Sequence, residues 1–176
     1  MTNDEEIIRR VLDEKTDEFR TIVDRHGTHV ATFIRQMTGS RETAEDLTQE
    51  TFLQAWRHLA SFRTEKGSLE RWLLRIAYTQ TMMHLRKLRP TVSLESTLSS
   101  EGTDGYEEPD DSHLHTETLH EALERLTASD RALVYLYYID GLKLKDISLA
   151  MGHNTAWLAT RLQRIRQRLY KIMTQQ

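Results

Sequence analysis

The segment Thr43–Trp56 carries side chains suited to binding a cationic surface. On a helix, four of them share one face at the i, i+3, i+4, i+7 spacing of a contact stripe: Asp46, Gln49, Glu50 and Leu53. The carboxylates and the amide can accept paired hydrogen bonds from arginines, and the leucine supplies an apolar anchor. None of these four residues is a cation that would neutralise the acids. A plain solvated acidic face is the alternative interpretation.

The opposite side of the same predicted helix is apolar and predicts a core contact. Its residues are Ala44, Leu47, Thr51, Phe52, Ala55 and Leu59. Because one side suits a core and the other a partner, the helix must pack against neighbours and leave its acidic face outward.

The C-terminal part of the chain has the spacing of a helix-turn-helix. A T-x-x-D capping box at Thr127 starts one helix, and Gly152 closes the short helix Lys143–Met151. Asn154 or Thr155 caps the last helix. Seven residues around its start would come within range of DNA: His153, Asn154, Ala156, Trp157, Thr160, Arg161 and Arg164.

Two arginines of this last helix are predicted to lie on its outer face, away from the apolar stripe that begins at Leu158. Arg161 and Arg164 can each bind a guanine edge or a phosphate. For Trp157 two interpretations stay open, namely a core side chain and a DNA contact.

Composition limits the class of protein. The chain has 176 residues, no cysteine and a formal net charge of −3. The acids are concentrated at 91–115, which holds seven of them and no lysine or arginine, whereas no acid follows Asp146. No nucleotide-binding loop, nucleophile elbow or paired-carboxylate arrangement is present, so we expect neither an enzyme nor a cofactor. The eight histidines lack the spacing of a ligand set, so we expect no metal site.

Several motifs resemble a known family. They are D-L-x-Q-E-x-F from Asp46, then W-L-x-R-I-A from Trp72, then H-L-R from His84, followed by the helix-turn-helix pattern. Together they resemble bacterial sigma factors, and more narrowly the extracytoplasmic-function (ECF) group. The resemblance covers roughly 15–90 and 117–173.

The resemblance implies an all-α fold of two small helical domains. A region-2-like helical bundle at 1–90 would bind core RNA polymerase and recognise and melt the promoter −10 element. A region-4-like helix-turn-helix domain at 117–176 would bind the −35 element. An acidic flexible linker at 91–116 would join them, either as a plain tether or as a segment passing near the path of the RNA.

By the same resemblance, Asp46, Gln49, Glu50 and Leu53 bind the polymerase, and a loop captures a base flipped from the opened strand. By sequence alone that segment is simply a loop. Thr79 and Met83 stand where the family has asparagine and aspartate, and Trp157 and Ala159 where it has threonine and lysine. The residues implied for −10 DNA are Arg63, Thr64, Glu65, Lys66, Gly67, Ser68, Arg75, Thr79 and Arg86.

The expected function is that of an alternative sigma factor in the bacterial cytoplasm. Its expected partners are core RNA polymerase, double-stranded promoter DNA, the melted non-template strand and, in some circumstances, an anti-sigma factor. The longest apolar run, Leu133–Ile139, is far too short to span a bilayer, so we expect no membrane insertion. The alternatives are a helix-turn-helix regulator that needs no polymerase and a sigma-like adaptor that does not initiate transcription.

Overall fold

A computed structural model describes residues 3–13, 16–63, 67–88 and 119–174, and every regular element within them is helical. The predicted all-α fold is therefore confirmed. The predicted linker at 91–116 lies outside the described residues, as do Thr64, Glu65 and Lys66 of the predicted loop. The α-helices are α1 (Asn3–Leu12), α2 (Phe19–Thr38), α3 (Arg41–His58), α4 (Leu69–Leu88), α5 (Leu119–Glu124), α6 (Ala128–Val134), α7 (Leu144–Met151) and α8 (Thr155–Thr174).

Helix α2 is the centre of the N-terminal half and packs against α1, α3 and α4. Its buried side chains recur at helical spacing on both sides of Gly27, so the helix continues through this residue. A lone glycine costs a helix only about 1 kcal/mol relative to alanine, and the burial of the apolar stripe outweighs it. The buried residues are Ile22, His26, Val30, Phe33, Ile34 and Met37.

Helix α3 begins at a side-chain cap. The hydroxyl of Ser40 accepts a hydrogen bond from the backbone N–H of Thr43 at 3.2 Å. The apolar side of the helix is buried as predicted, with Ala44, Leu47 and Ala55 among its buried residues. Since α2 and α4 both pack against α3, its other side is directed outward.

The C-terminal half is built around the helix-turn-helix pair α7 and α8. The Thr127 hydroxyl accepts from the backbone N–H of Asp130 at 3.2 Å and starts α6, as the capping box predicts. Helix α6 continues as a π-helical segment, Tyr135–Ile139. Gly152, at φ +76°, closes α7 in the left-handed conformation that glycine adopts without strain. The apolar stripe of α8 is buried at Leu158, Leu162 and Ile165.

The two halves pack on each other, chiefly α4 against α7 and α2 against α6. His29 on α2 lies between two carboxylates: its Nδ1 is 2.9 Å from Glu70, and its Nε2 is 3.0 Å from Asp140. Arg71 on α4 donates to Asp146 on α7 at 2.9 Å. The contact surface between the halves is therefore rich in charged and polar groups.

Three further contacts join the halves. The hydroxyls of Tyr78 and Ser129 are hydrogen-bonded at 3.0 Å, and the Phe33 and Tyr135 rings lie 5.8 Å apart. Arg131 on α6 donates to the main-chain oxygens of Gln36 and Met37, in the last turn of α2, at 2.7 and 2.6 Å.

None of the described helices combines the length and the hydropathy that crossing a bilayer requires.

Candidate functional surfaces

The acidic face predicted on α3 is exposed to solvent. Asp46 and Gln49 are exposed, and Leu53 keeps 43% of its surface accessible. Glu50 is half-buried, and its carboxylate accepts a hydrogen bond from the Gln54 amide at 2.7 Å. The structure thus brings the four predicted residues together around an exposed apolar side chain.

Trp56 extends this surface by one helical turn. It lies three residues after Leu53, is 38% exposed and packs edge-on against the Phe19 ring at 5.0 Å. Sequence reasoning missed it as part of the surface. The i+3 spacing from Leu53 was the signal that could have identified it.

The described part of the predicted −10 loop contains Arg63, Gly67 and Ser68. The Arg63 guanidinium donates to the main-chain oxygens of Ala60 and Phe62 at 2.8 and 2.9 Å, which fixes the start of the loop. Gly67 has φ +137°, a conformation that favours glycine. Ser68 precedes α4, and its hydroxyl lies 3.4 Å from the backbone N–H of Arg71.

The predicted DNA residues of α4 share an outward face. Arg75, Thr79 and Arg86 are all exposed, and the Thr79 hydroxyl donates to the main-chain oxygen of Arg75 at 2.9 Å. Met83 lies on the same side and is 47% exposed. These residues stay accessible although the other side of α4 contacts α7.

The start of α8 forms the rim of a shallow concavity of about 350 Å³ lined by six of the seven predicted residues there. Asn154 caps the helix, since its side-chain oxygen accepts from the backbone N–H of Trp157 at 2.8 Å. The Trp157 ring is half-buried and stacks on the His153 ring at 4.1 Å and 20°. The lining residues are Asn154, Ala156, Trp157, Thr160, Arg161 and Arg164.

Arg161 is not on the outer face where the sequence placed it. Its Nε and one terminal nitrogen donate to the two carboxylate oxygens of Asp130 at 2.6 and 2.9 Å. Its side chain is 12% exposed and that of Asp130 only 5%. Breaking a buried pair of this kind costs about 3–5 kcal/mol, more than the 1–3 kcal/mol of one bidentate base contact. The side chain of Arg161 therefore fixes α8 against α6, whereas Arg164 is exposed as predicted.

Comparisons with known proteins agree with this architecture. The model of Sigma-70 region 2 matches residues 22–91, and that of Sigma-70 region 4 matches residues 116–169. The chain is 30% identical to the ECF RNA polymerase sigma factor SigM of Bacillus subtilis, over 78% of this chain and 83% of that one. This chain belongs to the ECF sigma factors.

Other members of the family are similar over longer stretches. The ECF sigma factor SigW of Bacillus subtilis is 29% identical over 93% of both chains. The ECF sigma factor BldN of Streptomyces coelicolor is 27% identical over 88% of this chain, but the match spans only 60% of BldN.

Solved structures show the same fold. The sigma factor RpoE from Bartonella quintana, in complex with the anti-sigma factor NepR, has a TM-score of 0.65 at 21% identity, over 90% of this chain and 98% of that one. CnrH, in complex with the cytosolic domain of CnrY, has a TM-score of 0.63 at 18% identity, over 95% of this chain and 94% of that one.

Within this ECF sigma factor, helices α3 and α4 lie wholly in the region-2 match, and α6 and α7 lie wholly in the region-4 match. The acidic face and the helix-turn-helix surface therefore fall in the matches to two different family models. Among the described residues, no group of three histidine, aspartate or glutamate side chains is arranged to hold a metal ion.

Proposed function

We propose that this chain is an alternative sigma factor that binds core RNA polymerase and directs it to specific promoters, without itself catalysing a reaction. The observation that carries the proposal is the α3 face. Leu53 is a large apolar side chain left exposed between Asp46, Gln49 and Glu50, on a helix whose other side is buried. Exposed apolar anchors rimmed by polar groups are typical of binding surfaces.

We assign core polymerase binding to Asp46, Gln49, Glu50 and Leu53, with Trp56 extending the apolar anchor. The acids suit a partner surface rich in arginine, because guanidinium groups bind carboxylates through paired hydrogen bonds. The region-2-like domain is placed at 1–90 and the region-4-like domain at 117–176, joined by the acidic segment 91–116.

The exposed face of α4 is assigned to promoter −10 DNA, and the start of α8 to the −35 element. Arg75 and Arg86 supply the positive charge that phosphates require, and Thr79 lies between them. The loop from Arg63 to Ser68 is assigned to the melted non-template strand. The exposed Arg164 supports the −35 assignment as a group able to meet phosphate or guanine.

Two further assignments concern a regulatory partner and the cellular location of the protein. RpoE was solved with the anti-sigma factor NepR, and we propose that this chain also has an anti-sigma factor. We place the protein in the cytoplasm, where its polymerase and promoter partners would be.

The polymerase assignment is tested by Asp46→Ala, Glu50→Ala and Leu53→Ala. Each is expected to weaken binding to core polymerase several-fold to about a hundredfold, because interface anchors contribute about 1–3 kcal/mol. Titration of labelled protein with core enzyme measures the affinity.

The matched control is Glu45→Ala, which removes an exposed acid of the same helix that pairs with Arg41 at 2.8 Å. It is expected to leave the affinity unchanged. Wild-type affinity in all three test variants, with intact helicity, would falsify the assignment.

A run-off assay separates this function from its rivals. A sigma factor makes core polymerase start transcription from selected genomic fragments, whereas a helix-turn-helix regulator binds DNA without requiring the polymerase. A sigma-like adaptor binds the polymerase but yields no transcript.

A further inference from the structure

Three side chains at the start of α8 form a stack along one side of the helix. The His153 and Trp157 rings are 4.1 Å apart, and the Arg161 guanidinium carbon lies 5.9 Å from the centre of the Trp157 ring. They follow one another at intervals of four residues, the spacing that places side chains on one helix face. The indole is thus held between an imidazole and a guanidinium.

The polar groups around this indole already have partners within the protein. The Arg161 guanidinium binds both oxygens of Asp130. The Asn154 side-chain oxygen accepts from the Trp157 backbone, and the Thr160 hydroxyl donates to the Ala156 carbonyl at 3.0 Å. Trp157 and Ala156 are the apolar members of a lining that is otherwise polar, and the exposed Arg164 lies beside them.

An apolar surface in the major groove has one characteristic target. The thymine C5 methyl group is the apolar feature by which base edges differ there, while guanine, adenine and cytosine are read by hydrogen bonds. The indole can donate one N–H but accepts none, so it suits contact with a methyl group better than hydrogen-bond readout.

We propose that Trp157 determines the DNA specificity of α8 by contacting a thymine methyl, and that Asp130 is a positioning residue that fixes the indole through Arg161. This inference rests on the proposed function, since it takes the start of α8 as the promoter-binding surface. Arg164 then serves the phosphate backbone next to the contacted base.

The test uses duplex DNA selected from a pool with a randomised window by the full-length protein together with core polymerase. In the selected duplex each thymine is replaced singly by deoxyuridine, which lacks only the methyl group. At one position the wild-type protein is expected to lose about fourfold in affinity, the effect of removing one buried methyl group. Trp157→Ala is expected to bind the thymine and uracil duplexes equally, and Trp157→Phe to retain part of the difference.

Variants of Asp130 test whether this residue positions the Trp157 indole or only stabilises the fold. Asp130→Asn is expected to break the bidentate ion pair with Arg161, reduce discrimination between thymine and uracil, and steepen the salt dependence by up to about one ion. Asp130→Glu is expected to restore discrimination. Arg164→Ala is the matched control, because it should weaken binding to both duplexes alike.

Three results decide the matter. If no uracil lowers wild-type affinity, or if folded Trp157→Ala discriminates as the wild type does, the inference about Trp157 is overturned. If folded Asp130→Asn keeps full discrimination, the positioning role is overturned. If the wild-type protein with core polymerase selects no sequence at all, the proposed function fails as well, so the two failures are distinguishable.

Discussion

Arg131 forms hydrogen bonds to main-chain oxygens in both halves of the protein. Its guanidinium donates to the carbonyls of Gln36 and Met37 in the N-terminal half, and to those of Glu124 and Leu126 in its own half. Burial lowers the pKa of the Arg131 guanidinium from its ordinary value, but an arginine remains charged at any physiological pH. The Arg131 guanidinium therefore donates hydrogen bonds to carbonyl groups at the C-terminal ends of α2 and α5, where the helix dipole favours a cation.

We expect Arg131→Met to lower the free energy of unfolding by about 1.5–3 kcal/mol, the contribution of hydrogen bonds made by a charged group. Urea unfolding followed by circular dichroism measures the change. Lys145→Ala, which removes an exposed cation of α7, is the control and is expected to have no effect. Equal stability of Arg131→Met and the wild type would show that these hydrogen bonds contribute nothing net.

The sequence predicted residue positions well where helical spacing alone decides them. Asp46 and Leu53 are exposed because the period of 3.6 places them opposite Ala44 and Ala55. Arg161 could not be placed in this way. Its position is decided by Asp130, which lies 31 residues away and belongs to a different helix.

At the scale of elements, two glycines give a matched pair of predictions. Gly152 has φ +76°, so Gly152→Ala strains the turn between α7 and α8 and is expected to cost about 1 kcal/mol. Gly27 lies inside α2, and a Cβ added there would meet Val23 at an ordinary 4.0 Å. Gly27→Ala is therefore expected to stabilise the protein by about 0.5–1 kcal/mol.

Thermal unfolding measures the stability of both variants, and the two expected changes have opposite signs. A stabilising effect of Gly152→Ala would contradict the left-handed turn. A destabilising effect of Gly27→Ala would mean that α2 does not continue through this position.

Most helix ends could be predicted because capping residues and glycines mark them. The continuity of α2 could not, because it depends on burial along the whole helix.

At the scale of the molecule, the closed arrangement of the two halves is the feature that the sequence did not reveal. The −10 and −35 elements are about 25 base pairs apart, roughly 85 Å at 3.4 Å per base pair. Helices α4 and α7 are in direct contact through Arg71 and Asp146. Because 20-residue helices are only about 30 Å long, we expect, under the promoter assignments proposed above, that the halves separate before both elements can be bound.

We expect His29→Ala to favour separation, because it removes the group between Glu70 and Asp140. The chain has no cysteine, so Arg20→Cys and Gln167→Cys can carry a fluorescent pair. Energy transfer is expected to fall in His29→Ala and to stay unchanged in Thr28→Ala, which alters an exposed neighbour. Unchanged transfer in His29→Ala would show that the histidine does not hold the halves together.

The contact is also expected to depend on pH through Asp140. Burial raises the pKa of the Asp140 carboxyl above its ordinary value of 3.8, and His29 opposes this only in part. The closed form therefore binds a proton more readily than the open form. This contribution to closure is complete below pH 3.8 and is lost as the pH rises through the raised value.

The measurement is energy transfer between the same labelled positions, as a function of pH, in the wild type and in Asp140→Asn. The difference between the two proteins is expected to change as the pH rises from 3.8 through the raised pKa of Asp140. Parallel curves over the whole range would exclude a role of Asp140.

The ion pair between Asp130 and Arg161 has a consequence for how this lineage can change over time. Losing the arginine alone leaves a carboxylate that is 5% exposed without the guanidinium that binds both of its oxygens, at a cost of several kcal/mol. Losing the aspartate alone removes the ion pair that holds Arg161 beside Trp157 and is expected to alter which promoters the protein prefers. A substitution at position 130 or 161 alone therefore lowers stability or changes promoter preference, whereas a simultaneous change at both positions can avoid leaving one member of the ion pair behind. Positions 130 and 161 are therefore expected to covary among descendants of this chain, and a change in both would accompany a change of target genes.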